Sequence, residues 1–102
     1  IIAIVNHGYS ADAMKAAKKA GATGGTILHG HRVSGKDAAK FFGITINEEK
    51  EILMIVARRE MKQKIMMSIS SEMGMSSPAQ GIVFTLPVDD VYGLFSGHIG
   101  KV

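Results

Sequence analysis

Three histidines stand where short apolar segments of the chain end, and imidazole is the commonest metal ligand in proteins. His29 and His31 are separated by one residue, so both side chains point to the same face if the segment is a strand. His7 follows another apolar run, residues 1–5. Zinc, copper and nickel accept such ligands, and the spacing therefore indicates a metal site of His7, His29 and His31. The competing interpretation, which the lack of a carboxylate paired with them in sequence favours, is polar residues at strand ends.

The other chemistry-bearing residues form no recognisable catalytic set. We find no pair of carboxylates placed for general acid–base work and no Ser/His/Asp combination with a nucleophile elbow. The chain has no cysteine, which excludes disulfides, a cysteine nucleophile and cysteine zinc sites. Residues 21–25 are rich in glycine, but they lack the Lys-Ser/Thr that a phosphate-binding P-loop requires. The sequence therefore predicts a binding protein and not an enzyme.

The composition describes a small and rather apolar chain. It has 102 residues, enough for one domain, with 46% hydrophobic and 21% charged residues. Small soluble monomers usually have a more polar surface, so we expect other copies of the chain to cover part of it. The net charge of +3 is too small to indicate a nucleic-acid partner. The longest apolar run, residues 52–57, is too short to span a membrane, and the sequence favours a cytoplasmic location without membrane insertion.

Six elements must position these side chains, and their order is strand, helix, strand, strand, helix, strand. Ser10 is placed to be the N-cap of the first helix, and Gly21 is placed to end it. An apolar residue recurs at every fourth position of the second helix and predicts its core-facing side: Met61, Ile65, Ile69 and Met73. The predicted strands are residues 1–5, 26–29, 51–57 and 81–86, and the predicted helices are residues 11–20 and about 61–73.

The remaining segments give weaker patterns. Residues 30–43 lose periodicity, although residues 37–42 favour a single helical turn. Residues 44–46 alternate briefly, as a strand would, and residues 47–51 predict a charged bend. Residues 88–94 predict a short edge strand. The sequence thus predicts a long connection between the second and third core strands.

The order of the elements is that of the split βαβ, or ferredoxin-like, fold of the α+β class. Such a domain has a four-stranded antiparallel sheet with both helices on one face. The predicted strands are apolar almost throughout, so the helix-free face must be buried as well, and we expect homo-oligomerisation to bury it. RNA-binding domains of this class stack bases on exposed aromatic residues of the central strands. Residues 51–57 contain no aromatic residue and the last strand has only Phe84, which argues against a nucleic-acid partner.

Several segments together carry a resemblance to a known family. They are the first strand, the turn and strand at 21–27 with Thr26, the insertion at 30–50 and the strand at 52–57. The most specific is Gly81-Ile-Val-Phe-Thr-Leu-Pro-Val88, followed by Asp89-Asp90-Val91. In these segments the chain resembles the PII family of nitrogen-regulatory signalling proteins. The resemblance implies a single domain over residues 1–95, a C-terminal tail at 96–102 and a compact homotrimer.

The resemblance also implies how such a protein works. Members bind ATP or ADP, often with 2-oxoglutarate, in a cleft between neighbouring subunits. There the base of a long mobile loop, the T-loop (residues 30–50 here), meets a second loop at about 74–81. Effector binding orders the T-loop, which then docks on a partner protein in the regulation of nitrogen utilisation. The implied effector-binding residues are Thr26, His29, Gly30, His31, Arg32, Ser34, Gly35, Lys36, Gln80 and Gly81, with Arg32 and Lys36 as anion contacts.

The chain departs from the family's pattern at the residues that usually hold the nucleotide phosphates. Ile82, Gly93 and Phe95 stand where the family has basic residues. Because burying a triphosphate without cations is costly, we expect adenine nucleotide binding to be weakened, and no other cofactor is implied. The T-loop region has no tyrosine, so the tyrosine modification of some members has no acceptor here. The alternative function is a metal-binding trimer, similar to the divalent-cation-tolerance proteins, that uses His7, His29 and His31.

Overall fold

Two helices pack against one face of a four-stranded antiparallel sheet. A computed structural model describes residues 1–33, 40–41, 44–45 and 48–93. The chain folds into the helices and strands in the order β1 Ile2–Asn6, α1 Ser10–Lys19, β2 Thr26–Arg32, β3 Lys40–Phe41, β4 Ile44–Thr45, β5 Glu48–Met54, α2 Arg59–Met73 and β6 Ile82–Phe84. The short strands β3 and β4 pair only with each other.

The strand order in the main sheet is β2-β5-β1-β6, and every neighbouring pair is antiparallel. This order confirms the predicted ferredoxin-like fold. Because β5 lies antiparallel between β1 and β2, those two strands run in the same direction. The carboxyl ends of β1 and β2 therefore meet the amino end of β5 at one edge of the sheet.

The register of the strands assigns every side chain to one of two faces. Ala3 pairs with Leu53, which in turn pairs with Ile27, so these residues share the face that the helices cover. Ala3 and Leu53 are at most 1% exposed. The buried core joins this face to the apolar sides of both helices: Ala3, Val5, Ala13, Ala16, Ala17, Ala20, Leu53, Ile55, Ile65, Ile69 and Ala79.

The opposite, helix-free face carries two rows of mainly apolar side chains across all four strands. One row consists of Leu28, Ile52, Ile4 and Ile82, and the other consists of Thr26, Met54, Ile2 and Phe84. Nothing within the single chain covers this face in the part that the structure describes. Ile82 is 55% exposed and Leu28 is 46% exposed, which is unusual for side chains of this size in a sheet.

Helix α1 begins one residue earlier than predicted, and its cap differs from the prediction. Ser10 is the first helical residue and Tyr9 occupies the N-cap position, without a side-chain capping bond. The prediction of Ser10 as N-cap is wrong because a carboxylate from β5, Glu51, accepts the free Ser10 N–H instead. At the other end, Gly21 has φ +109° and Ala22 N–H donates to Ala17 O at 3.0 Å. This is the glycine-dependent helix end that the sequence predicts.

Helix α2 confirms the predicted core stripe, although it begins at Arg59 instead of about Met61. Ile65 and Ile69 are at most 2% exposed, and Met61 and Met73 pack against the same core from the two ends of the helix. Ser68 Oγ donates a 2.6 Å hydrogen bond to Ala16 O and so joins the two helices directly.

Several predicted boundaries are wrong, and strand pairing explains the largest errors. Strand β5 spans Glu48–Met54 instead of residues 51–57, and β2 continues to Arg32 instead of ending at His29. These polar ends pair with each other in register, so backbone hydrogen bonds extend both strands beyond their apolar parts. The predicted bend at 47–51 is therefore mostly strand.

Smaller corrections concern the weaker patterns. Lys40–Phe41 form a strand and not part of a helical turn, because they pair with Ile44–Thr45. Residues 88–93 contain no strand, so the predicted edge strand is wrong over that range. The rest of the predicted turn at 37–42, Leu94 of the predicted edge strand and the predicted tail at 96–102 lie outside the described residues.

Candidate functional site

Three chain segments bring a cluster of polar side chains to one edge of the sheet. His7 directly follows β1, His29 lies near the end of β2, and Glu51 lies on β5 between them. The register pairs Glu51 with His29 on one side and with Val5 on the other, and His7 N–H bonds Glu49 O at 3.3 Å. The split βαβ topology therefore places next to each other residues that are 22 or more positions apart in sequence.

The two imidazoles converge on the Glu51 carboxylate. His7 Nδ1 lies 3.3 Å from Glu51 Oε2, and His29 Nδ1 lies 3.9 Å from the same oxygen. The ring centroids are 6.4 Å apart with a tilt of 50°. One donor atom from each of the three residues lies within 4.8 Å of the other two. The histidine side chains are 63% and 70% exposed, whereas the Glu51 side chain is only 7% exposed, so the cluster opens to solvent through its imidazoles.

The surroundings of Glu51 stabilise the charged form of its carboxyl group. The pKa of its carboxyl is lowered to about 2, mainly by hydrogen bonding from the Ser10 side chain. Burial opposes this, while the backbone N–H groups of Ser10 and Gly8 and the charge of His7 lower the pKa further. The Ser10 N–H bond to Oε1 is 2.9 Å long. One carboxylate oxygen is thus held by the start of α1, and the other faces the histidines.

Asn6 joins the base of the 30–50 segment to the loop before β6. Its N–H donates to Ala79 O at 2.8 Å, and its Nδ2 donates to Pro78 O at 2.9 Å. Its side-chain oxygen accepts a hydrogen bond from Lys50 Nζ at 2.5 Å. The start of β5 and the 74–81 loop are therefore neighbours within one chain.

Gln80 and Gly81 lie in the connection between α2 and β6. Gln80 is exposed and has φ +45°, a left-handed backbone conformation that is uncommon outside glycine. Gly81 N–H donates to Met73 O at 2.7 Å, and a Cβ added to Gly81 would lie 2.2 Å from that same oxygen. Glycine at 81 therefore allows the connection to pass close to the last residue of α2, Met73, before it enters β6.

The residues that the resemblance implies as effector contacts do not all lie together. His29, Gly30 and His31 line a cleft of about 340 Å³ with Glu49 and Lys50. Thr26 pairs with Met54 at the far end of β2, about 20 Å from Arg32 at the strand's normal rise. Arg32, at the other end, is exposed. Ser34, Gly35 and Lys36 lie outside the described residues.

The structure modifies the predicted histidine set. His7 and His29 meet as the sequence suggests, and Glu51 completes their cluster. His31 lies on the same face of β2 as His29, two residues further along, where it pairs with Glu49 and lines the neighbouring cleft. Sequence reasoning missed Glu51, and with it Asn6 and Lys50. The one sequence signal for Glu51 is its position directly before the apolar run at residues 52–57. That Glu51 lies beside His7 and His29 is known only from the strand register.

Fold and site together define a small α+β domain: a ferredoxin-like sheet with helices on one face and a polar cleft at one edge. Residues 1–98 match the family model for nitrogen regulatory protein P-II, and the chain belongs to this family. Proteins of this family are regulators and not enzymes. No curated protein sequence matches the chain significantly. No helix among the described residues is both long and apolar enough to cross a membrane.

Two of the three departures from the family's phosphate-binding pattern can be located in the structure. Ile82 is the first residue of β6, and its exposed side chain lies on the helix-free face. Gly93 has φ +87° and follows the last strand. Phe95 lies outside the described residues. Neither Ile82 nor Gly93 offers a cation to a phosphate group.

Proposed function

We propose that this protein is a P-II-type regulator that binds a small effector at the polar edge of the sheet and controls a partner protein through residues 30–50. The match of residues 1–98 to the P-II family carries this proposal. The position of the cleft supports it, because His29, Gly30 and His31 lie near the end of β2, the strand that leads into residues 30–50. Glu49 and Lys50 lie near the start of β5, the strand that follows them.

Effector binding at this cleft would act on both ends of the connecting segment at once. An effector that contacts β2 and β5 together stabilises one relative position of the two strand ends. It thereby favours one state of the segment between them. The coupling requires that the effector binds one state of the segment more tightly than the other. The partner protein then distinguishes these states. In this proposal the interaction takes place in the cytoplasm and serves the control of nitrogen utilisation.

The effector contacts that we propose are the residues implied by the family resemblance. Lys50, which bonds Asn6, adds a cation to the cleft wall. Arg32 and Lys36 supply the positive charge that a carboxylate or phosphate group needs, in place of the basic residues replaced by Ile82, Gly93 and Phe95. Thr26, Ser34, Gly35, Gln80 and Gly81 belong to the same proposed site, which neighbouring subunits complete.

Homotrimer formation is part of the proposal, and the helix-free face supports it. The face presents apolar side chains from all four strands, among them Leu28, Met54, Ile82 and Phe84, each at least 39% exposed. Burying each of these side chains against another copy contributes on the order of 1 kcal/mol. A trimer would cover the face and bring the cleft of one subunit next to its neighbour.

A thermal-shift screen tests effector binding. The full chain is melted with adenine nucleotides, 2-oxoglutarate and bicarbonate, each well above the expected dissociation constant, since bound ligand stabilises the folded state by mass action. We expect at least one compound to raise the melting temperature, and the shift to shrink in Lys50→Ala. Lys64→Ala, a change of an exposed lysine on α2, is the matched control and keeps the full shift. A screen without any stabilising compound would contradict effector binding.

A further inference from the structure

We propose that His7, His29 and Glu51 form a binding site for one transition-metal ion of the Zn²⁺ class. This site goes beyond the regulatory function and does not depend on it. It also differs from the histidine set that the sequence suggests, because a carboxylate from β5 replaces His31. Two imidazoles with one carboxylate favour Zn²⁺, Co²⁺, Ni²⁺ or Cu²⁺ over Mg²⁺ and Ca²⁺, which prefer oxygen ligands alone.

The spacing of the donor atoms is close to that of a bound tetrahedral ion. Zinc–nitrogen and zinc–oxygen bonds of about 2.0–2.1 Å place two ligand atoms about 3.3–3.4 Å apart. His7 Nδ1 is already 3.3 Å from Glu51 Oε2, and His29 Nδ1 is 3.9 Å from it. One ligand atom of each of the three residues lies within 4.8 Å of the other two, so a movement of side-chain atoms by about 1.5 Å or less brings a set of ligands to bonding distance.

The least mobile ligand is also the one that is best oriented. The Ser10 N–H holds Glu51 Oε1 at 2.9 Å, which leaves Oε2 facing the two imidazoles. A bond from the protein to the second oxygen of a ligating carboxylate fixes its direction and strengthens metal binding. The Glu51 side chain is 7% exposed and cannot turn away into solvent.

The two histidines supply the access route. Both side chains are more than 60% exposed, so a hydrated ion reaches the site without an opening of the fold. Both offer Nδ1, which leaves Nε2 free to carry the proton of the neutral imidazole. Three protein ligands leave one position of a tetrahedron, on the solvent side, for water.

A cobalt titration tests the proposal, since four-coordinate Co²⁺ absorbs visible light and Zn²⁺ displaces it. The full chain is titrated with Co²⁺ and then with Zn²⁺, with the same titrations on His7→Ala, His29→Ala and His31→Ala. We expect one ion per chain, and an affinity at least about tenfold lower in His7→Ala and in His29→Ala. His31→Ala is the matched control, because it removes an exposed imidazole from the same strand face, and its affinity stays at the wild-type value.

Three results would overturn the proposal. The first is no Co²⁺ or Zn²⁺ binding below millimolar concentration, which would leave only the polar contacts of the two histidines with Glu51. The second is an equal loss of affinity in His31→Ala and His29→Ala. The third is unchanged binding in a His7→Ala/His29→Ala double variant, since the metal would then sit elsewhere in the chain. Circular dichroism of each variant separates loss of the ligand from loss of the fold.

Discussion

The backbone N–H of Ser10 donates a 2.9 Å hydrogen bond to Oε1 of Glu51, 41 positions further along the chain. The bond satisfies a free N–H group at the start of α1 with a negative charge, which the positive end of the helix dipole favours. It also orients the carboxylate so that Oε2 lies 3.3 Å from His7. One side chain therefore fixes the start of a helix and one member of the candidate metal site.

Glu51 makes the folded state sensitive to acid. Its pKa is lowered from the ordinary value of 4.5 to about 2, so the charged form stabilises the folded protein above pH 4.5. That stabilisation is lost as the pH falls from about 4.5 through about 2. We expect Glu51→Gln to lower the free energy of unfolding at pH 7. We expect the difference in free energy of unfolding between the variant and the wild type to disappear towards pH 2. Urea unfolding at several pH values and one chain concentration measures both.

Glu49→Gln is the control for the acid prediction. Its side chain is 62% exposed and lies 3.9 Å from His7, so the change removes only a surface interaction. We expect its free energy of unfolding to stay close to that of the wild type. If the difference in free energy of unfolding between Glu51→Gln and the wild type stayed constant from pH 7 to pH 2, the charge of Glu51 would have no role in stability.

Gly81→Ala tests the tight connection between α2 and β6. The new Cβ would lie 2.2 Å from Met73 O, so either the loop or the end of the helix must move. We expect a clear loss, on the order of 1–3 kcal/mol in the free energy of unfolding. Gly24→Ala is the control, since nothing lies within 4 Å of its added Cβ. Equal unfolding midpoints for both variants would contradict this account of Gly81.

Ile82→Glu tests the proposed trimer interface. It places a charge on the β6 side of the helix-free face, where other copies of the chain would bury it at considerable cost. Sedimentation equilibrium should give three chain masses for the wild type and a smaller assembly for the variant. Met67→Glu, on an exposed position of α2, should leave the assembly unchanged. A monomeric wild type would contradict the trimer directly.

Calorimetric titration with ATP tests the consequence of the missing cations. Ile82, Gly93 and Phe95 cannot neutralise phosphate charge, so we expect ATP affinity to be weaker than micromolar. The experiment is best done without added divalent metal, so that heat from the histidine cluster does not enter the titration. Micromolar binding would show that this interpretation of Ile82, Gly93 and Phe95 is wrong.

Local patterns were enough to predict several features of the fold. The recurrence of Met61, Ile65, Ile69 and Met73 identified the buried side of α2, because helix geometry alone puts these positions on one face. Gly21 marked the end of α1, because only glycine adopts its backbone conformation without strain. The order of strands and helices was sufficient for the fold class, and the family was predicted from particular segments, above all residues 81–91.

The sequence by itself determined the presence and order of the two helices and the four main strands, the fold class and the apolar character of both sheet faces, since each depends on residue type and short spacing. Only the tertiary structure decided that Glu51, and not His31, joins His7 and His29. It also decided that Glu51 takes the capping role expected of Ser10, and that β2 and β5 extend into polar residues. These outcomes depend on register between distant strands, where shifting the pairing by one residue would turn every side chain to the other face.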